Sequence, residues 1–154
     1  MGIKSYIGKR SKPTKGSSEN IKVSDYMSTN LVTFRPEQSV MEVMNTLIRK
    51  KISGGPVVND KKELVGIISE GDCIKQIKSS RYYNQPLENA KVEDHMVTNV
   101  ETIDGNMNVF DAADRFLESK RRRFPIVENG KLVGQISQKD VLKAAIQLKG
   151  HSWK

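Results

Sequence analysis

Much of this chain is written twice. Val23-Ser24-Asp25-Tyr26-Met27 returns 69 residues later as Val92-Glu93-Asp94-His95-Met96, and Thr29-Asn30 returns as Thr98-Asn99. Val40 matches Val109, Lys51 matches Lys120, and Pro56-Val57-Val58 matches Pro125-Ile126-Val127. After a one-residue deletion, Leu64-Val65-Gly66-Ile67-Ile68-Ser69-Glu70-Gly71-Asp72 aligns with Leu132-Val133-Gly134-Gln135-Ile136-Ser137-Gln138-Lys139-Asp140. Two copies are too few for a solenoid, which needs three or more. The duplication therefore predicts a pseudo-symmetric pair in which each copy covers the other's apolar face, and 154 residues suffice for one such pair. The expected parts are a tail over 1–20, a first repeat over 21–80, a linker over 81–91, a second repeat over 92–148 and a short tail over 149–154.

Each copy predicts the same elements. A short extended segment is expected around Leu31–Phe34 and Val100–Ile103. Ser39 with Glu42, and Asn108 with Asp111, have capping-box spacing ahead of a helix. Apolar residues then follow a helical period: Val40, Val43, Met44, Leu47 and Ile48, and again Val109, Ala112, Ala113, Phe116 and Leu117. Pro56–Val58 and Pro125–Val127 read as buried strands. Turns follow at Asn59-Asp60 and at Asn129-Gly130, the latter a strong hairpin signal. Leu64–Ile68 and Leu132–Ile136 form the return strands, and Ser69 and Ser137 cap second helices carrying Ile74 and Ile77, or Val141, Leu142, Ala145 and Ile146. The pattern is β-α-β-β-α twice, an α+β fold with helices on one side of each small sheet. Met41, Met44 and Met107 are expected as core fillers, and Tyr82 and Tyr83 as cover for the core.

Charge narrows the partners. Lys+Arg 26 against Asp+Glu 18 leaves +8, which favours anionic ligands. Five of those charges (Lys4, Lys9, Arg10, Lys12, Lys15) fall in a Gly/Ser/Pro-rich start without apolar periodicity, expected to be a solvated tail. No apolar stretch there makes a secretory signal, and Tyr6 spoils a myristoylation match. No apolar run approaches a membrane span. The lone Cys73 forms no internal disulfide, which suits a reducing, cytoplasmic setting. With only His95 and His151 beside it, no Cys/His zinc site can be assembled. Cys73 is read as a packing residue, although a helix start can lower a thiol pKa.

The chemistry sits in Gly-h-x-Ser-x-x-Asp, which ends both return strands at Gly66–Asp72 and Gly134–Asp140. A glycine lets a ligand approach the backbone. A helix N-terminus offers free N–H groups, and a carboxylate accepts from neighbouring hydroxyls such as a ribose diol. Capping alone would explain one such motif; its duplication at equivalent positions favours ligand binding.

Two tandem units ending in this junction resemble a pair of cystathionine β-synthase (CBS) domains, the Bateman module, over roughly residues 21–148. The resemblance implies two repeats packed through their sheets about a pseudo-twofold axis. It implies clefts for adenosine-containing ligands: AMP, ADP or ATP first, with NAD or S-adenosylmethionine as alternatives. It further implies homodimers and a regulatory role, with no catalysis of its own. Carried over residue by residue, it predicts crossed clefts. In the first, Asp72 holds the ribose and Ser69 assists, closed by Asn99, Val100, Glu101 and Arg121-Arg122-Arg123. In the second, Asp140 and Ser137 take those roles, with Lys139 nearby and Met27, Asn30, Val32 and Ile52-Ser53-Gly54 as walls. Arginines suit phosphate, so the Asp72 cleft is expected to take the phosphorylated nucleotide, although Glu101 opposes it.

The leading functional reading is thus a stand-alone nucleotide sensor acting on a separate, unknown protein partner. A nucleic-acid or anionic-surface binder using the tail and Lys120–Arg123 is the alternative, and a structural interaction domain with vacant clefts is another. No nucleophile–base pair, metal constellation or P-loop supports an enzyme.

Overall fold

The computed structural model describes residues 21–84 and 86–152. The basic tail expected over 1–20 lies outside them. Among the described residues four α-helices and four strands run in the order α-β-β-α twice, the later four elements of each predicted repeat. Helix α1 (Val40–Lys50) precedes strands β1 (Gly54–Val58) and β2 (Leu64–Ser69), which pair antiparallel, and helix α2 (Glu70–Tyr83) follows. Helix α3 (Val109–Ser119), strands β3 (Arg123–Glu128) and β4 (Lys131–Ser137) and helix α4 (Gln138–Ser152) repeat the order. Each sheet has two strands.

Local chemistry accounts for the boundaries. Ser39 Oγ accepts from the Glu42 N–H at 3.1 Å, and Asn108 Oδ1 accepts from the Phe110 N–H at 2.8 Å, so each first helix is capped where expected. Lys51 and Lys120, equivalent in the repeat, both end their helices in the left-handed conformation. Asn129 and Gly130 both take positive φ, as a tight hairpin turn demands. The first repeat is one residue longer here. Asn59 Oδ1 accepts from the Lys61 and Glu63 N–H groups, and Lys62 takes the positive φ.

Some expectations need correction. The extended segments before each first helix are not strands; each makes one parallel bridge, Phe34 to Val57 and Ile103 to Ile126. Helix α2 continues through Tyr83, into the segment expected as a linker over 81–91, until Asn84 turns left-handed. Helix α4 likewise runs into the expected 149–154 tail. Tyr82 and Tyr83 do not cover the core but stand exposed, their rings edge to face at 4.9 Å. Ile48, Ile74, Ile77, Leu117, Leu142 and Ile146 are also exposed despite their helical register. The apolar stripe of each helix is wider than the face its own core covers.

The chain divides into two compact units that cut across the repeat. Unit 1 joins residues 21–27 to 104–124 and 136–152. Its buried side chains include Val23, Val109, Ala112, Phe116, Phe124, Ile136 and Ala144. Unit 2 joins 28–103 to 125–135 around a core of Phe34, Val40, Val43, Leu47, Val57, Ile68, Ala90 and Val92.

The cut is an exchange of leading segments. In unit 2 the Val92 and Glu93 N–H groups donate to Gln38 and Pro36 carbonyls, and the Val40 N–H donates to Ala90. In unit 1 the equivalent donors Val23 and Ser24 bond Met107 and Gly105, and Val109 bonds Ile21. Each repeat's first turn thus seats itself at the entrance of the other repeat's first helix. Ile67 and Val97 exchange two backbone bonds of 2.9 and 2.8 Å, and Gln135 and Ser28 do the same.

Candidate functional site

Both Ser-x-x-Asp junctions form reciprocal caps. The Ser69 N–H donates to Asp72 Oδ2 at 2.9 Å and the Ser69 hydroxyl donates to the same oxygen at 3.0 Å. The Asp72 N–H returns a bond to Ser69 Oγ. Ser137 and Asp140 repeat this geometry at 2.8 and 3.0 Å. Each helix start is therefore held without outside help. In both carboxylates Oδ2 does the capping, while Oδ1 has no hydrogen bond among the described residues. One side chain can cap its helix with one oxygen and accept from a ligand diol with the other.

The glycine has a different role from the one its motif implies. A Cβ on Gly66 would meet Met96 Sδ at 2.6 Å and the Val97 carbonyl at 2.9 Å. The space is filled by the second repeat's leading segment and is not open to a ligand. Gly54 is equally tight against the Ile68 carbonyl, at 2.8 Å.

Hairpin register sorts the remaining residues. Gly54 pairs with Ser69, and the Glu70 N–H donates to the Ser53 carbonyl at 2.9 Å, so Ile52–Gly54 adjoins the Asp72 junction. Correspondingly, the Gln138 N–H donates to the Arg122 carbonyl at 3.2 Å and the Gln138 amide to Arg121. Arg121–Arg123 therefore adjoin the Asp140 junction. An antiparallel hairpin ties the residues before its first strand to those after its second, so each segment's backbone lies beside the junction of its own hairpin.

Within unit 1, Met27 and Asp140 line one cavity of about 580 Å³, with Tyr26, Lys143 and Gln147. Ser137, Lys139 and Arg121–Arg123 belong to the same unit, the arginines and Lys139 exposed. Lys143 and Gln147 went unnoticed in the sequence, yet they lie three and seven residues beyond Asp140, on its face of the helix. Unit 2 holds the other set: Ser69, Asp72, Asn99, Val100, Glu101, Asn30, Val32 and Ile52–Gly54. There Asn99 and Asn30 are exposed, Val100 and Glu101 half-buried, and Val32 and Ile52 pack on the core.

Cys73 is buried in that core, and burial pushes its thiol pKa up, reinforced by the Asp72 and Glu70 carboxylates. The helix start does not activate it. Among the described residues no cluster of three His, Cys, Asp or Glu could hold a metal, and no helix is long and apolar enough to cross a membrane.

A family model described as CBS domain matches residues 23–79 and 92–147. Protein MJ1225 of Methanocaldococcus jannaschii is 28% identical over 134 residues, covering 87% of this chain and 45% of its own length. The chloroplastic CBS domain-containing protein CBSX2 of Arabidopsis thaliana is 29% identical over 153 residues, covering 82% of this chain and 64% of its own. The chain spans less than two thirds of the length of these two relatives. The crystal structure of CBSX2 in complex with AMP superposes with a TM-score of 0.73 at 32% identity, covering 84% of this chain and 98% of that one. The CBS domain pair of MJ0100, in complex with 5′-methylthioadenosine and S-adenosyl-L-methionine, gives 0.65 at 25% identity, with 82% and 96% covered.

Proposed function

This chain belongs to the CBS-domain family as a tandem pair, and we propose that it is a non-catalytic regulatory module that binds adenosine-containing ligands and changes its docking to a separate protein. The observation that carries this reading is the doubled junction, in which a carboxylate oxygen is left over after the helix cap is complete. The AMP complex of CBSX2 and the methylthioadenosine and S-adenosylmethionine complex of the MJ0100 pair support the ligand class.

The phosphorylated ligand belongs with Asp140. Ser137, Lys139, Arg121–Arg123 and Met27 share its unit, and their cations neutralise phosphate. Asp72, with Ser69, Asn99, Val100 and the uncharged Ile52–Gly54, takes a nucleoside. This reverses the preference for the Asp72 cleft.

Thermal shift against AMP, ADP, ATP, NAD and S-adenosylmethionine tests the reading. At about one hundred times Kd a ligand stabilises the fold by about 2.7 kcal/mol. Asp140→Ala removes the nucleotide's share of that shift and Asp72→Ala leaves it. A panel with no shift for any compound sinks the proposal.

The exposed Ile48, Ile74, Ile77, Leu117, Leu142 and Ile146 support a homodimer through the helices. The exposed Lys120–Arg123 run is what favours the alternative, binding to nucleic acid. That reading requires affinity that falls steeply with salt.

A further inference from the structure

Each unit presents one exposed apolar helix face, and the two are built alike but charged differently. In unit 2, Ile48 on α1 and Ile74 and Ile77 on α2 border a groove of about 420 Å³, with Leu47 and Cys73 beneath. In unit 1, Leu117 on α3 and Leu142 on α4 occupy the positions of Ile48 and Ile74, joined by Ile146. Ile48 and Leu117 are each 77% exposed. Apolar residues grouped this way on a surface mark a place where another surface docks.

The residues around the two faces differ in sign. Arg49, next to Ile48, is replaced in the second repeat by Glu118, next to Leu117. Asn45, one turn before Arg49, becomes Asp114. Lys78, one turn after Ile74, becomes the apolar Ile146. All six are exposed. Neither Arg49 nor Glu118 forms an ion pair among the described residues. Glu42 and Asp111 are both acidic and cancel from the comparison, and Glu70 in place of Gln138 offsets one of the first repeat's cations. The α1–α2 face is left with a cationic rim and the α3–α4 face with an anionic one.

Symmetry turns this difference into a choice of orientation. In a twofold dimer, residue i meeting residue j requires j to meet i. If like faces met, Arg49 would lie across from Arg49, and Asp114 and Glu118 across from the same acids, with like charges gathered around each apolar seam. If unlike faces meet, Arg49 lies across from Glu118 twice, and each seam is bordered by opposite charges. Charges flanking an apolar seam set partner orientation in paired helices generally. We infer that this chain pairs head to tail, the α1–α2 face of one copy against the α3–α4 face of a second copy. The inference rests on the homodimer proposed above and adds which faces meet. It sets α2, which starts from the Asp72 junction, against the helix of the other copy that starts from the Asp140 junction.

Sedimentation equilibrium of the full chain at low ionic strength gives the first test. Arg49→Glu and Glu118→Arg should each weaken the dimer by about tenfold, and both changes in one chain should restore it. Pairing of like faces requires instead that neither single change matters, since each replaces one like-charge pair by another. Cross-linking gives the second test. Chains carrying Ile48→Cys or Leu117→Cys are treated with a short bismaleimide, which the buried Cys73 does not intercept. Linked dimer should form when the two chains are mixed and not from either alone. Unchanged affinity in both single charge variants, no recovery in the combined variant, or linkage within either cysteine variant alone overturns the orientation and leaves the homodimer standing. A chain that sediments as a monomer overturns both. If a charge variant does not fold, the cysteine pair still decides.

Discussion

Gly66 shows how a motif residue acquires its meaning from what lies against it. Met96 Sδ and the Val97 carbonyl occupy the place of its missing Cβ. One of these is backbone held by two hydrogen bonds to Ile67, so it cannot move aside cheaply. Gly66→Ala should therefore destabilise the fold by about 1–3 kcal/mol in denaturant titrations. Gly71→Ala, whose Cβ would meet only Ser69 Oγ at 3.7 Å, should be neutral or stabilising. Cys73 makes a second residue-scale case. Because folding raises its thiol pKa, the stability linked to the neutral thiol is complete below the ordinary thiol range. It is lost as pH rises through that range and toward the folded value. Thiol-reactive dyes at pH 8 should accordingly label Cys73 slowly in the native protein and fast once denaturant is added. Rapid native labelling would mean that burial does not hold.

At the scale of elements, helices were the most legible because their signals are local. Ser39 and Asn108 cap where capping spacing places them, and Asn129-Gly130 turns as its sequence demands. The short extended segments were less so, because their pairing is set by partners distant in sequence: Phe34 and Ile103 find one bridge each. Helical periodicity likewise identifies an apolar stripe without saying what covers it. Val40, Val43 and Leu47 are buried by their own unit, while Ile48 on the same helix stays 77% exposed. Ile74 and Ile77 share a cavity with Ile48 along α2. Replacing Ile48 and Ile74 together by glutamate should convert a dimer to a monomer in sedimentation without lowering the monomer's Tm. A protein that sediments as a monomer before the change refutes the dimer outright.

For the whole molecule, the duplication conveyed most of the architecture and the junctions conveyed where a ligand belongs. What it did not convey was which wall serves which carboxylate. The family resemblance places the arginine run with Asp72, and the bonds from Gln138 hold its backbone beside the Asp140 junction. Hairpin register is a property of neighbours in space, and a comparison of motifs along the chain does not display it.

The exchanged leading segments carry a further consequence. Val92 and Glu93 complete the entrance of α1, and Val23 and Ser24 complete that of α3. Cutting the backbone between the repeats, near residue 86, should therefore not release two miniature proteins. Circular dichroism of 21–85 alone, or of 87–154 alone, should show a largely unfolded chain, and mixing them in equal amounts should restore cooperative melting. If either piece folds cooperatively by itself, the exchange is dispensable. If neither does, the two halves form an obligate pair, and the peptide link between them serves mainly to guarantee that each half meets its mate at equal dose.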